Sequence, residues 1–273
     1  MTYRLVASDL DGTLLNKKAE ISIENWKAIE TMNEKGVFFV PSSGRCFMEL
    51  PREIRESDLI RYYILSGGAV VYDKVEDNME MTCPTKEEKD RVLDLIFRYP
   101  ACLFAHTGRE SVVDTDRHNA ASYQSYNMNP YWVSYALEKE TPIENFKQFV
   151  YEIEKISMLV VFFRNIEDLN ECKRILAEEK DLLVVQSDPF NLEIVSAKAG
   201  KGNALLHLAK SLGIRREETI AIGDSQNDRT MLQEAGLGLA MANAIPELQA
   251  IADKVICDND SHCIDYVLEN YLL

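Results

Sequence analysis

The apolar run Leu5-Val6-Ala7 gives way to Ser8-Asp9-Leu10-Asp11-Gly12-Thr13-Leu14-Leu15, so a strand built for a core ends in two carboxylates two residues apart. In an open α/β sheet, the carboxyl ends of the strands face the crevice where ligands collect. Two acids placed there repel each other, which invites a hard divalent cation with oxygen ligands or a shared proton. Gly12 lets the backbone turn sharply beside them. Other readings fit the same residues. Asp-Gly is a good hairpin turn. An EF-hand loop starting at Asp9 would find acids at Asp11 and Glu20, but Leu14 stands where that loop needs glycine. A chain with 45 Asp plus Glu can also pair two acids on its surface by chance.

A second constellation decides between them. Thr219-Ile220-Ala221-Ile222 is again an apolar β-type run, and it ends at Gly223-Asp224-Ser225-Gln226-Asn227-Asp228 ahead of a helical pattern. With a helix starting near Ser225, Asp224 sits at the strand end and Asp228 in the first turns of the helix. Four-residue spacing puts both on one face. N-capping accounts for one such residue. It does not account for Asp224, Asn227 and Asp228 together, beside a matching acid cluster on another strand.

Strand-like runs at 3–8, 37–41 and 61–65 alternate with helical stretches at 22–35 and 46–56, the βαβ pattern of a parallel sheet. Ser22 can cap the first helix and Gly36 can end it. The alternation returns with Leu192–Val195, a helix over 202–212, the strand 219–222, a helix to Glu234 and the strand 237–241; a last helix spans 264–271. Between these halves, Pro84 and Asp188-Pro189 bracket a segment with its own apolar runs, 158–163 and 182–185, and amphipathic helices at 85–98, 142–154 and 166–179. Such a length suffices for an independent domain. The pattern predicts a discontinuous catalytic core, 1–82 and 188–273, interrupted by an inserted α+β cap, or lid, at 83–187.

Composition bounds the partners. The formal net charge of −15 argues against nucleic acid or an anionic membrane as a bulk partner. An anionic substrate would have to be drawn in by a local site. Cys46, Cys83, Cys102, Cys172, Cys257 and Cys263 are scattered, with no CxxC pair and no zinc-type spacing, and read as reduced, structural thiols. There is no apolar signal core and no run of transmembrane length, so a cytoplasmic protein is expected. His106, His118, His207 and His262 lie in separate patterns and form no metal or triad set.

Two further strand ends complete the candidate site. Val37–Pro41 leads into Ser42-Ser43-Gly44-Arg45, where hydroxyl, backbone N–H and guanidinium groups suit an anionic oxygen ligand. Lys201 stands between Gly200 and Gly202 at a helix start, where its charge opposes the helix dipole unless it is wanted there. Neither a dinucleotide fingerprint nor a Walker A motif competes: Gly236-Leu-Gly238 lacks the later glycine, and Gly200-Lys201-Gly202 lacks the P-loop spacing. Acids, a hydroxyl and a lysine on four strand ends suit a divalent metal plus phosphate.

In these motifs the sequence resembles the haloacid-dehalogenase-like phosphohydrolases, specifically their Cof-type branch. Asp9-Leu-Asp11-Gly-Thr, Ser43-Gly44-Arg45, Lys201-Gly202 followed by Ala204-Leu205, and Gly223-Asp224-Ser-Gln-Asn227-Asp228 match in order, and Gly236-Leu-Gly-Leu-Ala-Met241-Ala-Asn243-Ala is similar to the same branch. Two stretches depart from the family: Ser66-Gly67-Gly68-Ala69 stands where Asn-Gly-Ala is usual, and His262-Cys263-Ile264 where Asp-Gly-Val is usual. Neither touches the phosphate chemistry. The resemblance implies a Rossmann-like core with a C2 cap and a magnesium-dependent phosphatase acting on a small phosphorylated metabolite, such as a sugar phosphate. It implies Asp9 as nucleophile, forming an aspartyl-phosphate, and Asp11 as the acid and base of the two half-reactions. Mg2+ is then held by Asp9, Asp224 and the backbone carbonyl of Asp11, with Asp228 ordering its shell. Ser43, the Leu10 and Gly44 amides, Asn227 and Lys201 hold the phosphoryl oxygens, and Arg45 is a substrate contact. A phosphomutase using the same intermediate, or a non-catalytic metal-binding module, are the alternatives.

Overall fold

The computed structural model describes residues 3–273. Along the chain the strands are β1 (Leu5–Ser8), β2 (Phe38–Pro41), β3 (Tyr62–Leu65), β4 (Val70–Asp73), β5 (Asn78–Met81), β6 (Ala101–His106), β7 (Ser111–Asp114), β8 (Thr141–Ile143), β9 (Met158–Phe163), β10 (Leu182–Val185), β11 (Asn191–Ser196), β12 (Thr219–Gly223), β13 (Leu237–Ala240) and β14 (Lys254–Val255). The chain divides into two compact units. One holds the residues up to Gly44, Arg52–Glu80 and Gly200–Leu273; the other holds Arg45–Pro51 and Met81–Ala199.

The first unit is built on a parallel sheet in the order β14-β13-β12-β1-β2. Every residue of β1 and β12 is buried, as parallel strands covered on both faces require. Register fixes the site. Ser8 pairs with Ile222 on one side and Pro41 on the other, so the residues that follow all three strands leave the sheet at one edge. The helix Ile23–Glu34 starts at Ser22, whose side chain accepts from the Asn25 amide, and buries Ala28, Ile29 and Met32 on one side. The C-terminal helix Cys263–Val267 runs on into a wider π turn, Leu268–Leu272, and is tied to the first helix by its Ile264 amide on Asn25 Oδ1 at 3.0 Å.

The expected third parallel strand, at 61–65, belongs elsewhere. The turn Ser66–Gly68 returns β3 directly to β4, and such a short connection allows only antiparallel pairing, Leu65 opposite Val70, in a separate sheet of order β3-β4-β5. A single parallel bridge, Ser42 to Ile64, links it to the chain beyond β2. The helix expected over 46–56 is broken: a short 3₁₀ turn, Phe47–Glu49, is separated from the helix Arg52–Glu56 by Pro51, which holds Leu50 in the extended region.

The second unit carries a six-stranded sheet in the order β10-β11-β9-β6-β7-β8, antiparallel except for β7 with β8. Strand β9 shows the period-two logic: Leu159, Val161 and Phe163 enter one apolar cluster, Val160 and Phe162 the other. The helices Lys86–Ile96 and Ile166–Leu176 pack on the first face and Pro130–Lys139 on the second. The helix expected from 142 begins only at Phe146, because Pro142 lies in the edge strand β8.

The expected boundary at 187/188 shifts to 199/200. Leu192–Val195 does not join the parallel sheet; β11 pairs antiparallel with β10 and β9. The intervening turn explains it. Asn191 Oδ1 accepts from the Ser187 and Asp188 amides at 3.1 and 2.8 Å, closing a tight reversal that keeps both strands in one sheet. No helix among the described residues is long and apolar enough to cross a membrane, and all six cysteines are free.

Candidate active site

Asp9 is the first residue past β1, and its amide still bonds to the Ile222 carbonyl at 2.9 Å, so the sheet holds its Cα in place. The chain then turns at Gly12 with φ +84°. A Cβ there would lie 2.5 Å from Asp224 Oδ2, so only glycine allows the two acid-bearing loops to approach this closely. Thr13 Oγ1 donates to Asp224 Oδ1 at 2.9 Å. Asp228 is fully buried and its Oδ2 accepts from the Asp224 and Ser225 amides, both at 3.0 Å, which fixes the turn after β12. Ser43 is held between neighbours by its own amide on the Ile64 carbonyl and its carbonyl under the Gly67 amide, at 2.9 and 3.0 Å.

Lys201 opens the helix Lys201–Ser211 with its side chain in the interior. Its Nζ donates to Asp9 Oδ1 at 2.5 Å and to Asp228 Oδ1 at 2.6 Å, with Asn227 Oδ1 at 3.4 Å. Burial would discharge this ammonium, but the Asp228 and Asp9 carboxylates outweigh it and hold the lysine charged. Burial first and Asp228 second push the Asp9 carboxyl well above the usual carboxylate range, with Lys201 pulling the other way. Asp224 is pushed up to about 6, by burial and then by Asp228.

These groups fit a hard cation. Carboxylate oxygens of Asp9, Asp224 and Asp228 lie within 4.8 Å of one another, with neither thiolate nor imidazole among them. Fully ionised, three carboxylates facing one ammonium would carry two net negative charges, the charge that a divalent cation balances. The Asp11 carboxylate is outside this cluster; Asp11 is half-buried, in a turn closed by the Leu15 amide on the Leu10 carbonyl at 2.8 Å.

Arg45 is buried in the second unit. It donates to the Glu49 carbonyl at 3.2 Å and to the Tyr135 and Tyr131 hydroxyls at 3.0 and 3.2 Å, with its guanidinium 4.7 Å from the Tyr135 ring centroid. The same unit buries His106 beside Glu49, with His106 Nε2 3.6 Å from Glu49 Oε2, and holds the half-buried Glu140 with its Oε2 out of solvent. Thr13, tied to Asp224, adds a site residue that the motifs do not single out; its one local signal is a hydroxyl two residues past Asp11 in the same turn.

A parallel α/β core that gathers three carboxylates and a buried lysine at one sheet edge, with a sheet-rich cap inserted in the chain, is the architecture of a phosphoryl-transfer hydrolase. The chain belongs to the haloacid dehalogenase-like hydrolases, whose family model matches residues 6–268. It is a phosphatase of their Cof-type branch. It is 32% identical to the phosphatase YwpJ of Bacillus subtilis, over 98% of this chain and 100% of that protein. It is 30% identical to the 5-amino-6-(5-phospho-D-ribitylamino)uracil phosphatase YcsE of the same organism, over 99% and 96%. Among solved structures, a haloacid dehalogenase-like hydrolase from B. subtilis superposes with a TM-score of 0.82 at 30% identity, covering 98% of this chain and 99% of that one.

Proposed function

We propose that this protein is a magnesium-dependent phosphatase that hydrolyses a small phosphorylated metabolite, a sugar phosphate or similar monoester, through an aspartyl-phosphate on Asp9. The observation that carries the reading is the placement of Lys201 Nζ between Asp9 and Asp228, with Asp224 in the same cluster. A charged lysine buried against Asp9 opposes the upward push of burial and Asp228 on that carboxyl, favouring its nucleophilic form, and offers positive charge to an incoming phosphoryl group. Mg2+ held by Asp9, Asp224, Asp228 and the Asp11 carbonyl would supply the remaining neutralisation of the phosphoryl oxygens.

A carboxylate oxygen of Asp9 attacks phosphorus, and the bond from phosphorus to the ester oxygen breaks. Asp11 gives its proton to that leaving oxygen. In the second half Asp11 takes a proton from water, which attacks the phosphorus of the acyl phosphate and frees phosphate and Asp9. Each proton transfer is of the kind that contributes about 10²–10⁴-fold. Ser43, the amides of Leu10 and Gly44, Asn227 and Lys201 orient the phosphoryl oxygens. The substrate class is supported by relatives named for small phosphate esters, YcsE among them.

The test is turnover of p-nitrophenyl phosphate and of a panel of phosphorylated metabolites by the metal-stripped protein, before and after adding Mg2+, beside Asp9→Asn. Restoration by Mg2+, no turnover in the variant, and a phosphoryl adduct on Asp9 by mass spectrometry are expected. Substantial turnover by Asp9→Asn would overturn the reading.

A further inference from the structure

The turn after β13 reaches both acid-bearing loops of the first unit. Its Met241 amide bonds to the Gly223 carbonyl and its Ile245 amide to the Asp224 carbonyl, both at 3.0 Å. From the middle of the same turn, Asn243 Nδ2 donates to the Gly12 carbonyl at 2.8 Å. Asn243 is held in its turn: its Oδ1 accepts from the Asn259 amide at 3.0 Å, and Asn259 Nδ2 donates to the Leu15 carbonyl at 2.9 Å. Two asparagines thus grip the loop that follows β1 at Gly12 and again at Leu15.

The grip matters because of where it falls. The loop's own hydrogen bonds run from the Thr13 and Leu15 amides to the Leu10 carbonyl and from the Leu14 amide to the Asp9 carbonyl, and leave the Gly12 carbonyl to an outside donor. Gly12 has no Cβ to limit its torsions, so local sterics do not fix the peptide that follows it. Asn243 does. Asp11 is the residue before this glycine, and its carboxyl has to meet first a leaving oxygen and then a water within hydrogen-bond reach.

We infer that Asn243, braced by Asn259, is a positioning residue that acts through Asp11 and sets the proton-transfer steps, above all the hydrolysis of the phosphoenzyme. The inference rests on the reading of Asp9 and Asp11 proposed above. Misplacing a reacting group by about 1 Å can cost on the order of 100-fold. Asn243→Ala is therefore expected to lower kcat on p-nitrophenyl phosphate by about 10–100-fold while KM moves less than about threefold. The fraction of enzyme present as phosphoenzyme should rise in rapid quench. Asn259→Ala should move the same readouts in the same direction to a smaller extent, because it loosens the brace and leaves the donor.

The decisive measurement is a double-mutant cycle with Asp11→Asn. Placed in the Asp11→Asn enzyme, Asn243→Ala should cost less than about threefold, since the group it positions is already disabled. Equal losses in both backgrounds would mean general damage to the fold and overturn the inference, as would a normal kcat and normal phosphoenzyme level in Asn243→Ala. Should Asp11→Asn alone turn over normally without accumulating phosphoenzyme, the reading of Asp11 falls and the inference with it. An Asp11→Asn enzyme that accumulates phosphoenzyme beside a wild-type-like Asn243→Ala sinks the inference and leaves the reading standing.

Discussion

Lys201 Nζ and Asp9 Oδ1 lie 2.5 Å apart, although 192 residues and a whole inserted unit separate them along the chain. Both side chains are out of solvent, and the same ammonium also holds Asp228. Removing one partner of a buried ion pair strands the other charges, at a cost of about 3–5 kcal/mol. Lys201→Met should therefore melt well below the wild type in chelator, by that order of stability. Loss of a charge aimed at the transferring group should also lower kcat by roughly 10²–10³-fold. Thermal melts and steady-state rates check both. A variant that melts normally and turns over within about threefold of wild type would show that the pair serves neither fold nor chemistry.

Asp11→Asn separates the two half-reactions. p-Nitrophenolate leaves without much help from an acid, so attack by Asp9 should survive, whereas the water that follows still needs a base. Phosphoenzyme should accumulate in rapid quench, and kcat should fall by about 10²–10⁴-fold. Normal turnover with no added intermediate would remove Asp11 from the base role.

The strand ends of the site are legible because their signal is local: an apolar run followed at once by a polar turn, at β1, β2 and β12. Parallel register then carries Asp9, Ser43 and Asp224 to one edge with no further information needed. Partners chosen by tertiary distance were not legible. That Thr13 would meet Asp224, or Asn243 the Gly12 carbonyl, depends on loops more than 200 residues apart. Arg45, read as a substrate contact from its place beside Ser43-Gly44, packs on Tyr131 and Tyr135, and no spacing near residue 45 announces those rings. The misplaced Leu192–Val195 has a different cause. A short run with Glu193 as its single polar residue reads much the same in either sheet, and its turn to β10, closed by Asn191, decides which sheet it joins.

Gly12 and Gly36 make a matched pair. Both have positive φ, +84° and +74°, but a Cβ on Gly36 would meet nothing within 4 Å, while one on Gly12 would strike the Asp224 carboxylate. Gly36→Ala should cost about 1–2 kcal/mol of stability, the penalty of an L residue in the left-handed region, and leave kcat unchanged. Gly12→Ala should cost at least as much and also displace Asp224, so Mg2+-dependent turnover should fall by about 100-fold or more. Chemical denaturation paired with kinetics distinguishes them, and equal activity in the two variants would contradict the close approach.

The cap holds two perturbed groups of its own, Glu140 and His106. Burial first, and then the Glu49 carboxylate beside it, push the Glu140 carboxyl well above its ordinary value of 4.5. The folded chain therefore keeps a proton that the unfolded chain releases, and the stability tied to this group is complete below about pH 4.5 and declines as pH rises toward the raised folded value. His106 works in the opposite sense. Burial lowers its pKa, with Glu49 opposing, so the unfolded chain binds a proton that the fold refuses, and stability tied to His106 rises as pH climbs through about 6.5. Glu140→Gln keeps the shape and a hydrogen-bond donor toward Glu49 but abolishes the titration. The variant should gain melting temperature relative to wild type as the pH is raised from about 5 to about 8, because the decline tied to Glu140 is gone. Thermal melts at a series of pH values measure that difference directly. Curves for the two proteins that run parallel across the range would mean that Glu140 is ionised in the fold.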